Sequence, residues 1–147
     1  MFDLRGFGQL KDFQNIKQFS TDLKELDLVL SWFDELKQSH IPKKVWLQCQ
    51  LALAEGFTNA VRHAHKNLSR EVPIDIEIIL FPHRLEMRIW DYGEPFDLEE
   101  KCRNQQKKSD NQAGGGRGIA ILHRIADKLS YRRTADKRNC LLIVKDY

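Results

Sequence analysis

Residues Leu51–Ala64, LALAEGFTNAVRHA, decide how the rest of the chain is read. The run is largely apolar at helical spacing, yet it carries a carboxylate, a carboxamide and an imidazole: Glu55, Asn59 and His63. Residues four apart lie above one another on one α-helical face, so the three form a polar stripe. The residues around them are small or apolar: Leu53, Ala54, Gly56, Phe57, Ala60, Val61 and Ala64. Leaving a carboxylate dry and unpaired in that company is costly. Two readings fit this stretch alone. The stripe faces solvent or a basic loop, as charged rows commonly do, or it faces a cavity, a metal or a ligand.

Upstream, Leu23, Leu26, Leu30, Phe33 and Leu36 recur at helical spacing. Ser20-Thr21-Asp22 precede them, and Glu25 follows Asp22 as in a capping box, so a helix is predicted from about Leu23 to Gln38. Pro42 suits the start of a second helix, predicted from about Lys43 to Lys66 and containing the opening stretch. Ile16–Ser20 reads as a short strand. Residues 1–14 show no period and fit a loose arm or an edge strand. The expected division is an N-terminal arm, 1–15, and one domain, 16–147.

Downstream, Pro73 marks a change of period. Ile74, Ile76, Ile78 and Leu80 alternate with Asp75, Glu77 and Ile79, and after Pro82-His83 the residues Leu85, Met87 and Ile89 alternate with Arg84, Glu86 and Arg88. This predicts an antiparallel hairpin with one buried face. Parity puts Asp91 on that face, where a carboxylate needs a partner; a strand-end Asp capping the next turn is also a common arrangement. Gly93 marks a bend or a close approach. Residues 94–113 are almost wholly polar, and a connection that long inside a small domain is usually functional or mobile. A short helix is expected around Asp97–Arg103. Gly114-Gly115-Gly116-Arg117-Gly118 then open a helix whose Ile119, Leu122, Ile125 and Ala126 are spaced for a core. Glycines at that point bare the first helical N–H groups and offer a seat for an anion, unless the run is only a linker. Arg117 favours the anion. The chain then reads as a second hairpin, with strands Leu129–Thr134 and Asn139–Lys145 about a turn at Ala135–Arg138. The fold class expected is α+β: a two-layer sandwich, its mixed, mostly antiparallel sheet covered on one face by about three helices.

A length of 147 residues suits one domain with a real core, and 41% apolar with 31% charged residues argues against disorder. No apolar run approaches the ~20 residues that cross a bilayer. The first residues lack the apolar core of a signal peptide, so a cytoplasmic protein without membrane contact is expected. Cys49, Cys102 and Cys140 are far apart and read as reduced. His63 and His65 have no acid or cysteine at metal-ligand spacing. The net charge of +3, with basic residues interleaved by acids, gives little support to direct nucleic-acid binding and suits an acidic ligand or partner.

E-x-x-x-N-A-x-x-H on a helix, D-x-G after a hairpin, a polar loop and G-x-G opening a helix together resemble the N, G1 and G2 boxes of the GHKL ATP-binding superfamily. LALAEGFTNAVRHAH, DYGEPFD, GGGRGIAILHRIADKLSYRR and NCLLIVK narrow the likeness to the bacterial anti-sigma-factor serine kinases. The resemblance covers roughly residues 16–145 and implies a Bergerat-type ATP-binding fold. It implies Glu55 as general base, Asn59 as ligand of Mg2+, and His63 on the phosphate or lid side. It implies Asp91 as the carboxylate that reads adenine, Gly93 lying against the base, and residues 94–113 as a lid. Gly114, Gly115, Gly116, Arg117, Gly118 and Ile119 would border the phosphates of ATP. Three positions depart from the family. Glu94 follows the D-x-G glycine where a small or apolar residue is common, and Arg117 stands where Leu or Met is frequent. A threonine that helps hold an adenine-bound water falls at Leu142.

What the resemblance implies is a partner-switching regulator. Such proteins hold a sigma factor and, with Mg-ATP, phosphorylate a STAS-domain antagonist on Ser or Thr; they commonly form homodimers. The rival classes are an ATP-binding adaptor that sequesters its partner without phosphoryl transfer, and an ATPase or histidine kinase. Against the latter, no helix here carries a phospho-acceptor histidine of the dimerising kind.

Overall fold

The computed structural model describes residues 10–98, 100, 103 and 118–147. The elements run in the order β1 (Phe13–Phe19), a 3-10 turn (Leu23–Glu25), α1 (Leu26–Glu35), α2 (Lys43–Asn59) and a π-helical segment (Ala60–Ala64). They continue with β2 (Ile74–Phe81), β3 (Arg84–Asp91), α3 (Gly118–Ile125), β4 (Lys128–Arg133) and β5 (Asn139–Asp146). The strands form one sheet in the order β1-β2-β3-β5-β4, and every described pairing is antiparallel. This is the α+β architecture the periodicities predict, with three helices against an antiparallel sheet.

The central hairpin follows its alternation. Ile76 pairs with Ile89, Ile78 with Met87 and Leu80 with Leu85, and all six are buried. Glu77, Arg88 and Glu86 take the other face, where Arg88 lies 2.9 Å from Glu86. Phe33 of α1 and Trp46 of α2 stack at 4.1 Å with planes 9° apart, tying the two helices together. Gly56 lets α2 settle on the sheet: a Cβ there would lie 2.5 Å from Ile89 Cδ1. Apolar burial of this kind is the main force holding the layers together.

Several boundaries differ from the sequence expectation. β1 starts at Phe13 rather than Ile16. The extra residues, Phe13, Gln14 and Asn15, show no period of their own, and pairing with β2 orders them: Phe13 packs against the core and Gln14 Nε2 donates to Glu77 (2.7 Å). The Asp22 cap is present, accepting from Lys24 N–H, and Glu25 reaches back to Ser20 N–H at 3.0 Å. The first turn is nevertheless 3-10, and α1 stops at Glu35 rather than Gln38. The second helix ceases to be α-helical after Asn59. His65 N–H reaches back five residues to Ala60 C=O (2.8 Å), which is a π turn. In the last hairpin Lys137 adopts a left-handed φ of 65°, and Thr134 N–H closes the loop on Arg138 C=O. Cys49 and Cys140 are free thiols, whereas Cys102 lies outside the described residues. Of the helix expected at Asp97–Arg103, residues 99, 101 and 102 lie outside the described residues; Leu98, Glu100 and Arg103 are helical, and Glu100 N–H meets Asp97 Oδ1 at 3.1 Å. Among the described residues no helix is long and apolar enough to cross a membrane.

Candidate functional site

Two contacts fix how α2 lies over β3. Gly56 sits on Ile89, and further along both elements His65 meets the backbone of Tyr92. Helix and strand therefore run in the same direction, and Asn59 and Asp91 fall between the two contacts. Asn59 is buried, 7% exposed, on the last turn of α2.

Asp91 is the best-held polar group of this region. It is 2% exposed on the helix-facing side of β3, as parity predicts. Oδ1 accepts from Gly93 N–H (2.9 Å) and from Asn139 Nδ2 (2.9 Å), and Oδ2 accepts from the Tyr131 hydroxyl (2.9 Å). Asn139 is fully buried, opposite Asp91 on β5, and Nδ2 also donates to Gly93 C=O at 2.8 Å. Arg133 adds a donor to that carbonyl at 3.2 Å. Burial, together with the charge of Asp91 and the hydrogen bond to it, pushes the Tyr131 phenol far above its usual range and keeps it a donor. Its ring stacks on Phe96 at 4.2 Å. A carboxylate has about four acceptor positions, so the three donors here leave room for one more.

Gly93 is required by close approach. A Cβ at this position would lie 2.2 Å from the carbonyl oxygen of Ala64, a fixed backbone atom. The turn after β3 is thereby pressed against the end of the π segment. Beside it opens a cavity of about 350 Å³ whose lining includes His63, Ala64, Tyr92, Gly93, Glu94 and Phe96. His63 is exposed at its rim.

Glu55 lies one turn before Asn59 on α2. It is half-buried, and burial raises its carboxyl above the usual range, with Arg62 opposing. Its nearest landmark is the start of α3, where a Cβ on Gly118 would come within 2.8 Å of Glu55 Oε2. Gly118 thus admits the carboxylate to the first turn of that helix. Ile119, the next residue, is 1% exposed and belongs to the core. Gly114, Gly115, Gly116 and Arg117 lie outside the described residues, as does most of the expected lid.

The stripe of the opening stretch is thus only partly one face. Glu55 and Asn59 keep α-helical spacing, but the π turn changes the rotation beyond Asn59, so His63 is exposed and His65 is 1% exposed. Sequence reasoning missed His65, Asn139, Tyr131 and Arg133. The Leu142 expectation also changes. Leu142 pairs with Arg88 on the outer face, one residue out of phase with the face that holds Asp91. The polar partner that β5 offers Asp91 is Asn139.

No group of three or more His, Cys, Asp or Glu suited to a metal occurs among the described residues. A dedicated protein cage is therefore not built there. A single amide oxygen at Asn59 matches the way Mg2+ is held with nucleotide phosphates and waters.

Residues 19–145 match the family model described as the histidine kinase-like ATPase domain. The chain is 27% identical over 85 residues to serine-protein kinase RsbW of Bacillus licheniformis, covering 54% of this chain and 53% of that protein. It is 31% identical over 91 residues to serine-protein kinase RsbW of Listeria monocytogenes, covering 56% of each. The matched part thus spans about half the length of these curated relatives. A chain in the crystal structure of the SiaB-SiaC complex from Pseudomonas aeruginosa superposes with a TM-score of 0.60 at 12% identity, covering 90% of this chain and 89% of that one. At that identity the likeness shows the fold.

Proposed function

Because the chain belongs to the histidine kinase-like ATPase domain family, we propose that it is a Mg-ATP-dependent anti-sigma factor that phosphorylates a STAS-domain antagonist on Ser or Thr. The observation that carries the kinase reading is Glu55. A half-buried carboxylate of raised basicity, set against the start of α3, suits a general base for an incoming hydroxyl. The serine-protein kinase relatives support the same class of reaction.

In this reading Asp91 accepts the exocyclic amine of adenine at its remaining acceptor position, and Gly93 lets the base approach the backbone. Asn59 would supply an amide oxygen to Mg2+, which would offset the charge of the phosphates. His63 stands at the cavity rim on the phosphate or lid side. Residues 94–113 form the lid, and Gly114–Gly118 with Arg117 border the phosphates. Ile119, at the start of α3, is buried in the core. Glu55 takes the proton of the Ser or Thr hydroxyl as its oxygen attacks the terminal phosphorus and ADP leaves. The protein acts as a cytoplasmic homodimer that also holds a sigma factor.

The test is to incubate the purified chain with labelled ATP, Mg2+ and a candidate STAS-domain protein. Acid-stable phosphate on Ser or Thr of that partner is expected. Binding of the partner without transfer would replace the kinase by an adaptor.

A further inference from the structure

Phosphoryl transfer as described above gives His65 no task, although it is among the most deeply buried polar side chains described. Both ring nitrogens are engaged. Nε2 lies 2.8 Å from the backbone nitrogen of Tyr92, and Nδ1 lies 2.8 Å from the Thr21 hydroxyl. The Tyr92 N–H can only donate, so Nε2 must present a lone pair. The neutral ring then carries its hydrogen on Nδ1 and donates it to Thr21 Oγ1. The Thr21 hydroxyl in turn donates to Val72 C=O at 2.5 Å. One consistent assignment therefore runs from the β1–α1 loop, through the ring, to the turn that contains Gly93.

That turn is held at two neighbouring points. Gly93 rests on the carbonyl of Ala64, and Tyr92 N–H is held by the next residue, His65. A second proton, placed on Nε2, would face Tyr92 N–H with another N–H and remove its acceptor. The groups around the ring decide how readily that happens. The Asp91 carboxylate favours the proton, while burial disfavours it and is the larger influence, holding the imidazole below the usual histidine value of 6.5. The Tyr92 ring is 6.5 Å away, and Arg70 and Asp22 nearby are paired with each other at 2.9 Å.

We propose that neutral His65 is the positioning residue of the base-reading turn Asp91–Gly93, and that uptake of a proton at Nε2 releases the turn and weakens nucleotide binding. The proposal rests on the nucleotide-binding reading of the site. Its direction in pH follows from linkage. The unfolded ring takes the proton before the folded one, so the contribution of His65 is fully present above the unfolded value and is lost as pH falls through the folded value. Nucleotide affinity should fall as pH drops through the folded value.

The full chain is titrated with ATP from about pH 7.5 to about pH 5.5, beside His65→Gln and His65→Leu. Glutamine offers an oxygen to Tyr92 N–H and an N–H to Thr21 but does not titrate. At the upper pH His65→Gln should bind within about threefold of wild type, and His65→Leu about tenfold more weakly. At the lower pH wild type should lose affinity relative to His65→Gln, by less than about tenfold because burial holds the ring below 6.5, and protonation of ATP itself cancels in that ratio. A constant ratio across the range, with wild-type affinity in His65→Leu, would overturn the proposal. Nitrogen NMR of wild type must also show hydrogen on Nδ1, with slow exchange of the Tyr92 amide at neutral pH. Hydrogen on Nε2, or rapid Tyr92 exchange, overturns the assignment even if either variant folds poorly. If wild type binds no ATP at any pH the kinase reading fails, whereas the NMR result still decides the clamp.

Discussion

Asp91 is 2% exposed and has donors on both carboxylate oxygens, whereas Glu55, on the neighbouring helix, is half-buried and rests against the start of α3. The first acid is held by donors from three residues, Gly93, Asn139 and Tyr131. The second is left with raised basicity and access from outside. A group that reads a shape benefits from being held rigidly, because ordering it in advance removes that cost from binding. A group that must take a proton benefits from a raised pKa and from room for the proton donor. In the proposed function the two acids have different tasks, and substitutions should separate them.

The largest effect expected is on rate. Glu55→Ala should lower phosphoryl transfer by about 10²–10⁴-fold while leaving ATP affinity within about twofold, measured by single-turnover transfer and by calorimetry. A parallel fall in both would break the distinction. Transfer by wild type should also decline as pH drops through a value above the usual 4.5 for glutamate, because protonated Glu55 cannot accept the hydroxyl proton.

Asp91→Asn should act on affinity instead. Its new NH2 group would face donors from Asn139, Gly93 or Tyr131, and buried donors left without acceptors cost about 1–3 kcal/mol each. ATP binding should weaken by about 10–100-fold, with a lower midpoint of thermal unfolding. Equal affinities for wild type and variant would remove Asp91 from the pocket.

Tyr131→Phe sharpens the same corner more gently. The ring stays stacked on Phe96 but the donor to Asp91 is lost, so a stability loss of about 1–2 kcal/mol is expected in urea unfolding. Transfer per bound ATP should be unchanged. The smallest effect belongs to Leu142→Thr, since its side chain lies on the outer face with Arg88. ATP affinity should move by less than about twofold, as for surface changes generally. A large gain in affinity would mean that the register of β5 against β3 is wrong.

Much of the fold is legible from local pattern. Alternation marks β2 and β3, and helical spacing marks α1, α2 and α3, because burial on one face imposes each period directly on nearby residues. The inward position of Asp91 follows from the same parity. β1 was less legible: Gln14 and Asn15 show no period, and their strand exists because β2 supplies the hydrogen bonds. The second helix was legible only as far as Asn59. Beyond it the backbone winds as a π turn, and four-residue spacing pointed to His63 where the buried ring is that of His65.

Short-range periodicity and a few motifs carry the α+β class, the order of elements and the choice of Glu55, Asn59, Asp91 and Gly93 as candidates. What those residues touch is set by long-range packing. Asn139 and Tyr131 reach Asp91 across 48 and 40 residues of chain, through strand register. His65 reaches Tyr92 across 27 residues because Gly93 lets the turn close on Ala64. Such contacts depend on how distant segments are brought into register, and no local period records that.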